Sequence, residues 1–412
     1  MQIIESMQKK HPFLQRSANS RVNDVKEFEA WSEDAFSIDG IAVQSTKFGN
    51  NEFGVFTTKD LPKNATVLRG SLKYVLSMKA TKSIARKCFK SIIQPKPAIK
   101  IKSLWKILFV VINLLSKVFS GDSRLQPYLN ALPTSYSNPI YYINEIVPIL
   151  IGSETYEHVT STYIEVIRMY TIMWQELYLN RKSPDDACVK LNINLENFTF
   201  EMFRWAFSTA TQNETFSLVN GTFSIDTVRY LRKGAELLLH YQNDYNNTMG
   251  EYFMPWGIVT QQAPVAVSIK VKSDNITVLD LLRDAEIKSK DSNWNYFEIR
   301  LRPYKKTAEA ILSDEDFKIL TSIATGKAND ILSESDWEYS FVFLKRRIHE
   351  KLKSYEYKSK LTPGKVDRTF VDTAKRFIET EQQALRDTIV KLDELIKNSR
   401  AKRKRKFQKN EL

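Results

Sequence analysis

The sequence predicts an α+β fold in which two β-rich segments are separated by a long helical insertion and followed by a helical C-terminal region. Three observations carry this. Short β-prone runs punctuated by Gly, Asn and Pro occupy residues 38–80 and return over residues 216–240. The stretch between them, 81–200, spaces its apolar residues as helices do. Beyond Pro264 the pattern is helical again almost to the end of the chain.

Taken in order, residues 1–24 are polar and read as an N-terminal extension that frays, and 25–31 has the spacing of a short amphipathic helix. Strands are expected at 41–43, 54–56 and 66–68. Within the insertion, apolar faces run through 103–119, 139–151 and 160–179, and Ser183 with Pro184 and two aspartates marks a helix start. Strands resume at 216–219, 222–225 and 235–240, with Asn220-Gly221 as a tight hairpin turn. Helices are expected at 278–287, 314–325, 337–355 and 367–397, and residues 398–412 form a basic tail.

A chain of 412 residues exceeds one typical core, and 42% apolar residues suffice for packed interiors, so two or three domains are expected. The most apolar window, 103–119, holds only ten residues between Lys106 and Lys117, short of the ~20 that span a bilayer, so it reads as a buried helix and no membrane is expected. Residues 1–12 do not read as a secretory signal. Cys88 and Cys188 are too few and too far apart in sequence for a disulfide framework or a thiolate zinc site, which points to a reducing compartment, cytoplasmic or nuclear, and to no structural metal. The formal charge is +13, but residues 400–409 (RAKRKRKFQK) supply seven positive charges, leaving a much less basic body. The tail reads as a solvated end, a nuclear-import signal, or a contact for RNA or an acidic partner surface. No zinc spacing or aromatic-interleaved basic strand accompanies it, so nucleic acid is not expected as a partner except through the tail. The four histidines, His11, His158, His240 and His349, are scattered and suit surface or packing roles.

Four segments carry a family resemblance. The run 230–241 places Lys233, Gly234 and Glu236 before an apolar stretch ending on Tyr241, and 247–259 (NTMGEYFMPWGIV) follows with Glu251, Trp256, Gly257 and Val259. About 180 residues upstream, 51–67 (NEFGVFTTKDLPKNATV) has the form of an opening hairpin. Between them lie 125–133 (LQPYLNALP) and 203–207 (FRWAF). In identity, order and spacing these segments resemble the SET-domain protein methyltransferases of the Rubisco large-subunit methyltransferase type, well over about 25–260 and more loosely beyond.

The resemblance implies a SET-type β-fold over 25–260 with its helical insertion at about 81–200, an α-helical substrate-docking domain over 261–397, and S-adenosylmethionine as cofactor. It implies transfer of a methyl group to a lysine of a cytosolic protein, such as a ribosomal protein or translation elongation factor, by a monomer; one member type of the family modifies histidine instead. Tyr241 takes the place of the active-site tyrosine, Glu52, Phe53, Gly54 and Tyr241 that of the cofactor contacts, and Tyr252, Phe253 and Trp256 that of the walls of the acceptor channel. Singly, each of those three aromatics also reads as a core residue. His240 alternates to the opposite face from Tyr241 and receives no role.

Aligning donor and acceptor is the main catalytic task in such a transfer. A lysine of ordinary pKa ~10.4 is almost wholly protonated at pH 7, a barrier of roughly 4 to 5 kcal/mol unless an apolar channel favours the neutral amine. Three departures stand against activity. Glu52 occupies the first glycine position of the family's Gly-x-Gly, and the stretch between Phe216 and Phe223 lacks about twenty residues that include an Asn-His-Ser motif. The family's arginine-containing segment is replaced by Thr211, Gln212, Asn213 and Glu214. The alternative is therefore a catalytically degenerate or truncated SET-like protein that serves as a protein-binding module.

Overall fold

The structure is a computed structural model that describes residues 8–16, 21–45, 53–71, 74, 76, 78–90, 102–122, 124–181, 186–212, 222–237, 249–256, 259, 265–284, 296–302, 311–327, 332–355 and 368–410. The expected strand at 216–219 and its Asn220-Gly221 turn lie outside these residues. The chain divides into two compact units, one of residues 1–136 and 163–243, the other of 137–162 and 244–412. Segment 137–162, placed by the sequence reading in the insertion, groups with the C-terminal part.

In the first unit, α1 (Arg21–Ala35) leads into β1 (Phe36–Ile38), β2 (Ile41–Ser45), β3 (Phe53–Thr57) and β4 (Thr66–Ser71). The hairpin of β2 and β3 pairs Ile41 with Thr57 and Gln44 with Gly54. The other sheet has the order β1–β4–β5, where β5 (Thr222–Asp226) arrives from beyond the insertion to pair antiparallel with β4. Gly70 stands between Phe36 on one neighbouring strand and Phe223 on the other, whose rings lie 5.8 Å apart; a Cβ there would run into both. Glycine at this position lets the two aromatics close over the strand.

The insertion is helical as expected. It comprises α2 (Met78–Cys88), α3 (Lys102–Ser120), α4 (Gln126–Ala131), α6 (Glu154–Leu179), α7 (Asp186–Lys190) and α8 (Phe200–Gln212), with α5 (Ile143–Leu150) and the start of α6, to Thr162, counted in the second unit. The apolar window settles into α3, where Leu108, Val111, Ile112, Leu114 and Leu115 are buried, so it supplies core. No helix among the described residues is long and apolar enough to cross a membrane. Helix α8 is sunk almost completely, with Phe203, Trp205, Ala206 and Phe207 all at 0% exposure. At ~25 cal/mol per Å² of apolar surface, that face contributes several kcal/mol.

Two expectations are corrected here. The cysteines, 100 residues apart, are joined in a disulfide with Cα atoms 4.8 Å apart, because α2 and α7 pack side by side. Separation in sequence does not limit pairing once a fold returns the chain, and cysteine usage no longer argues for a reducing compartment. Nor is the N-terminal extension frayed over residues 8–16. Gln8 Nε2 donates to the Tyr170 hydroxyl at 2.6 Å and its Oε1 accepts from the Phe200 N–H at 2.9 Å. Phe13 meets Trp205 edge-on at 4.8 Å, and Arg16 donates to the carbonyls of Asn130 and Leu132.

The second unit contains an antiparallel strand pair that the helical reading missed, β6 (Val267–Lys272) with β7 (Tyr296–Leu301). Val267, Ile269, Val271, Phe297, Ile299 and Leu301 are buried in one cluster with residues of α10 (Ile276–Asp284), α11 (Asp314–Thr325), α12 (Glu334–Ser354) and α13 (Arg368–Asn410). Helices α11 and α12 each open on a capping box, Ser313 with Asp316 and Ser333 with Asp336, which satisfies N–H groups at each helix start. The final helix does not stop at residue 397: it runs without a break to Asn410, taking the basic tail into it.

Candidate active site

The two β-rich segments meet along a seam. Leu61 and Leu231 exchange backbone hydrogen bonds at 2.8 and 2.9 Å, and Phe56 is paired with Glu236. The Thr57 N–H donates to the Ala235 carbonyl at 2.9 Å, the Gly234 N–H to the Thr57 carbonyl at 2.8 Å, and the Leu237 N–H to the Val55 carbonyl at 2.7 Å. Thr57, 2% exposed, also donates its hydroxyl to the Arg232 carbonyl at 2.6 Å.

The turn that makes this docking possible is the Lys233-Gly234 pair. Gly234 has φ +79°, a left-handed conformation that favours glycine, and the tight turn there lets the chain continue antiparallel from Leu61 to Phe56. Asp60 fastens the same turn, accepting from the Tyr230 hydroxyl at 2.6 Å and the Lys233 N–H at 2.8 Å. Its carboxyl is held below its ordinary pKa, first by the Tyr230 hydrogen bond and then by the Lys233 N–H, so it stays ionised as an acceptor.

A second pair of motif segments also comes together. Trp205, in the FRWAF segment, donates its indole N–H to the carbonyl of Pro133, which closes the LQPYLNALP segment, at 2.7 Å. A buried Trp N–H needs such a partner, and finding it fixes the depth of α8.

Of the residues singled out for chemistry, Phe53 and Gly54 begin β3, both half-buried. Glu52 and Tyr241 lie outside the described residues. The chain leading to Tyr241 is described as far as Leu237, beside Val55 and therefore one residue from Gly54 on β3. Tyr252, Phe253 and Trp256 fall in a helix, α9 (Met249–Trp256), in the second unit. Phe253 has 0% exposure and stacks on Phe377 at 4.8 Å and Phe370 at 5.9 Å, an interior position between rings of α13. The side chains of Tyr252 and Trp256 are not among those described. No group of three or more His, Cys, Asp or Glu suited to a metal occurs among the described residues.

Sequence reasoning overlooked Thr57 and Asp60, which lock the seam without chemistry of their own. Both lie inside the quoted hairpin segment, and a Thr and an Asp beside a Pro-containing turn are the type of residue that bonds to neighbouring backbone.

The SET-domain fold that the motifs implied is the fold this chain has: an α+β architecture whose separated β segments join around a helical insertion. The chain superposes on the SET domain of LSMT bound to lysine and AdoHcy with a TM-score of 0.65 over 90% of this chain and 91% of that one, at 16% identity. Rubisco LSMT bound to AdoMet gives a TM-score of 0.65 over 91% and 93%, also at 16% identity. By sequence the chain is similar to the actin-histidine N-methyltransferases of Mus musculus, 24% identical over 209 residues, and of Danio rerio, 23% identical over 209 residues. These matches take in 50% of this chain and 33% of each relative, so the chain covers about a third of the length of the curated relatives it matches. No protein-family model matches the sequence.

Proposed function

We propose that this protein is an S-adenosylmethionine-dependent protein N-methyltransferase whose acceptor is a lysine of a cytosolic protein, with a ribosomal protein or elongation factor as the favoured substrate class. The observation that carries the reading is the Thr57–Leu237 seam, which sets residues 235–237, the last described before Tyr241, beside the strand that begins with Phe53 and Gly54. The neighbours of known structure were solved with AdoMet, AdoHcy and lysine, which supports both the cofactor and the acceptor type.

The residues present fit a cofactor held by backbone. Gly54 presents no side chain at the half-buried start of β3, so main-chain groups there are open to close approach. The anion-gripping arginine of the family is absent from the end of α8, where Thr211 and Gln212 stand, so the grip on the cofactor's carboxylate would be weaker. When bound, S-adenosylmethionine supplies an electrophilic methyl group on a sulfonium. In the family pattern Tyr241 takes the place of the hydroxyl that orients the acceptor nitrogen, and Tyr252 and Trp256 those of aromatics that favour its uncharged form. Phe253 serves the interior of the second unit.

Histidine is the second reading for the acceptor, favoured by the sequence similarity to the actin-histidine enzymes. The two differ physically. Imidazole, of ordinary pKa ~6.5, is mostly neutral at pH 7 and needs little help, whereas a lysine must lose its proton first. A cell extract incubated with the protein and methyl-labelled S-adenosylmethionine, then hydrolysed to amino acids, distinguishes methyl-lysine from methyl-histidine. Tyr241→Phe should lower turnover at least tenfold with unchanged folding. Full transfer by that variant would remove the tyrosine from the mechanism, and no cofactor binding at millimolar concentration would leave the protein-binding module.

A further inference from the structure

The geometry points to a second surface, independent of the candidate active site: the basic end of α13 is a rigid arm that inserts between the phosphate walls of a nucleic-acid duplex, which we propose as its partner. The first observation is that the segment is helix and is anchored. Arg400 Nε lies 2.7 Å from Glu338 Oε1 on α12, Arg403 Nη2 lies 3.3 Å from Glu338 Oε2, and the Ser399 hydroxyl donates to the Glu334 carbonyl at 3.2 Å. One carboxylate, itself only 15% exposed, thus holds two arginines and sets the direction in which the helix continues. An arm already ordered loses less freedom on binding than a disordered tail would.

The second observation is where the other cations stand. With ~100° of turn per residue, Arg400 and Arg403 sit about 60° apart on the side facing α12, while Lys397, Lys402, Lys404 and Arg405 spread over an arc of about 160° elsewhere. These four side chains are exposed, and no acidic partner for them occurs among the described residues. The acidic residues of α13 lie earlier, the last being Glu394, so within the helix itself nothing offsets the positive charge of its end. Like charges three and four residues apart oppose a helix, and a polyanion removes that opposition.

The wide arc decides between partners. A flat acidic protein surface meets one stripe of a helix, whereas a groove presents phosphates on both sides, and the B-form major groove, ~12 Å wide, admits a helix. The contacts are to phosphate, so binding should be independent of sequence and steeply dependent on salt.

The test uses the full chain and a fluorescently labelled 20-base-pair DNA duplex, with anisotropy read across a salt series. The wild type should bind at low salt. Replacing Lys402, Lys404 and Arg405 together by alanine, the residue best suited to a helix, should weaken binding at least tenfold and reduce the slope of log affinity against log salt by about 2 to 3, at ~0.9 per phosphate contact. A variant of equal charge, Lys26→Ala with Lys63→Ala and Lys190→Ala, should stay within twofold of wild type. The proposal is overturned if the wild type does not bind the duplex, if the control variant loses as much, or if polyglutamate binds more tightly than DNA; the last result would mark the arm as a site for an acidic protein.

Discussion

Thr57 and Ala235 are bonded in both directions across 178 residues of chain: the Thr57 N–H donates to the Ala235 carbonyl at 2.9 Å, and the Ala235 N–H donates to Thr57 Oγ1 at 3.0 Å. The Thr57 hydroxyl thereby accepts from one residue of the returning chain while donating to the carbonyl of another, Arg232. One buried side chain thus closes the Arg232–Ala235 turn against β3.

Thr57→Val keeps the shape of that side chain and removes its hydrogen bonds, leaving the Arg232 carbonyl without this donor. The expected loss is about 1 to 3 kcal/mol, the usual cost of stranding buried polar groups. The change should appear as a lower denaturant midpoint with an unchanged slope. Thr57→Ser, which retains the hydroxyl, should recover most of it. Equal stability of Thr57→Val and wild type would show that the seam does not depend on this residue.

The legible part of the fold followed from contrasts in pattern. Residues 103–119, the most apolar window, became the buried helix α3, while Lys233-Gly234 and the FRWAF segment were recognisable as parts of the family pattern, and the structure places them in a left-handed turn and around a buried indole. Three features were not legible. The β6 run VSIKVK alternates as a strand should, yet sits among helical segments and finds its partners 24 to 34 residues later. Phe253 was placed in a channel because its motif is aromatic, and only three-dimensional packing shows the Phe370 and Phe377 rings against it. The N-terminal residues 8–16 are polar, and nothing local reveals that Gln8 has a hydroxyl and an amide N–H waiting 162 and 192 residues away.

The anchoring of that N-terminal segment should depend on pH through His11. Its Nδ1 accepts from the Phe13 N–H at 3.2 Å and its ring lies 5.2 Å from Phe119, and burial pushes its pKa below the usual 6.5. A base whose folded pKa is depressed is favoured neutral, so its contribution is complete above about pH 6.5 and is lost as the pH falls from there through the lower folded value. Protonation also occupies the lone pair that the Phe13 N–H uses. Hydrogen exchange over residues 8–16 should quicken beyond the intrinsic pH trend in the wild type as the pH falls below about 6.5, and His11→Ala should show the faster exchange at every pH. Exchange that follows only the intrinsic trend in the wild type would exclude His11 as the sensitive group.

The disulfide between Cys88 and Cys188 closes a loop of about 100 residues, which holds most of the insertion together in the unfolded as well as the folded chain. Restricting so long a loop is worth up to ~4.7 kcal/mol in the chain-entropy account, and removal of native disulfides commonly costs about 2 to 5 kcal/mol. Cys88 and Cys188 are both nearly buried, at 3% and 4% exposure, so the folded protein should resist mild reductant while the unfolded chain should not. Protein denatured without reductant should show no free thiol, since these are its two cysteines. Replacing both by alanine should lower the denaturant midpoint by an amount equivalent to about 2 to 5 kcal/mol, and adding reductant to unfolded wild type should bring its refolded stability down towards the same value. Two titratable thiols in the denatured oxidised protein would mean that the pair remains unbonded, and the stability difference between the wild type and the double variant should then shrink to the small packing effect of two side chains.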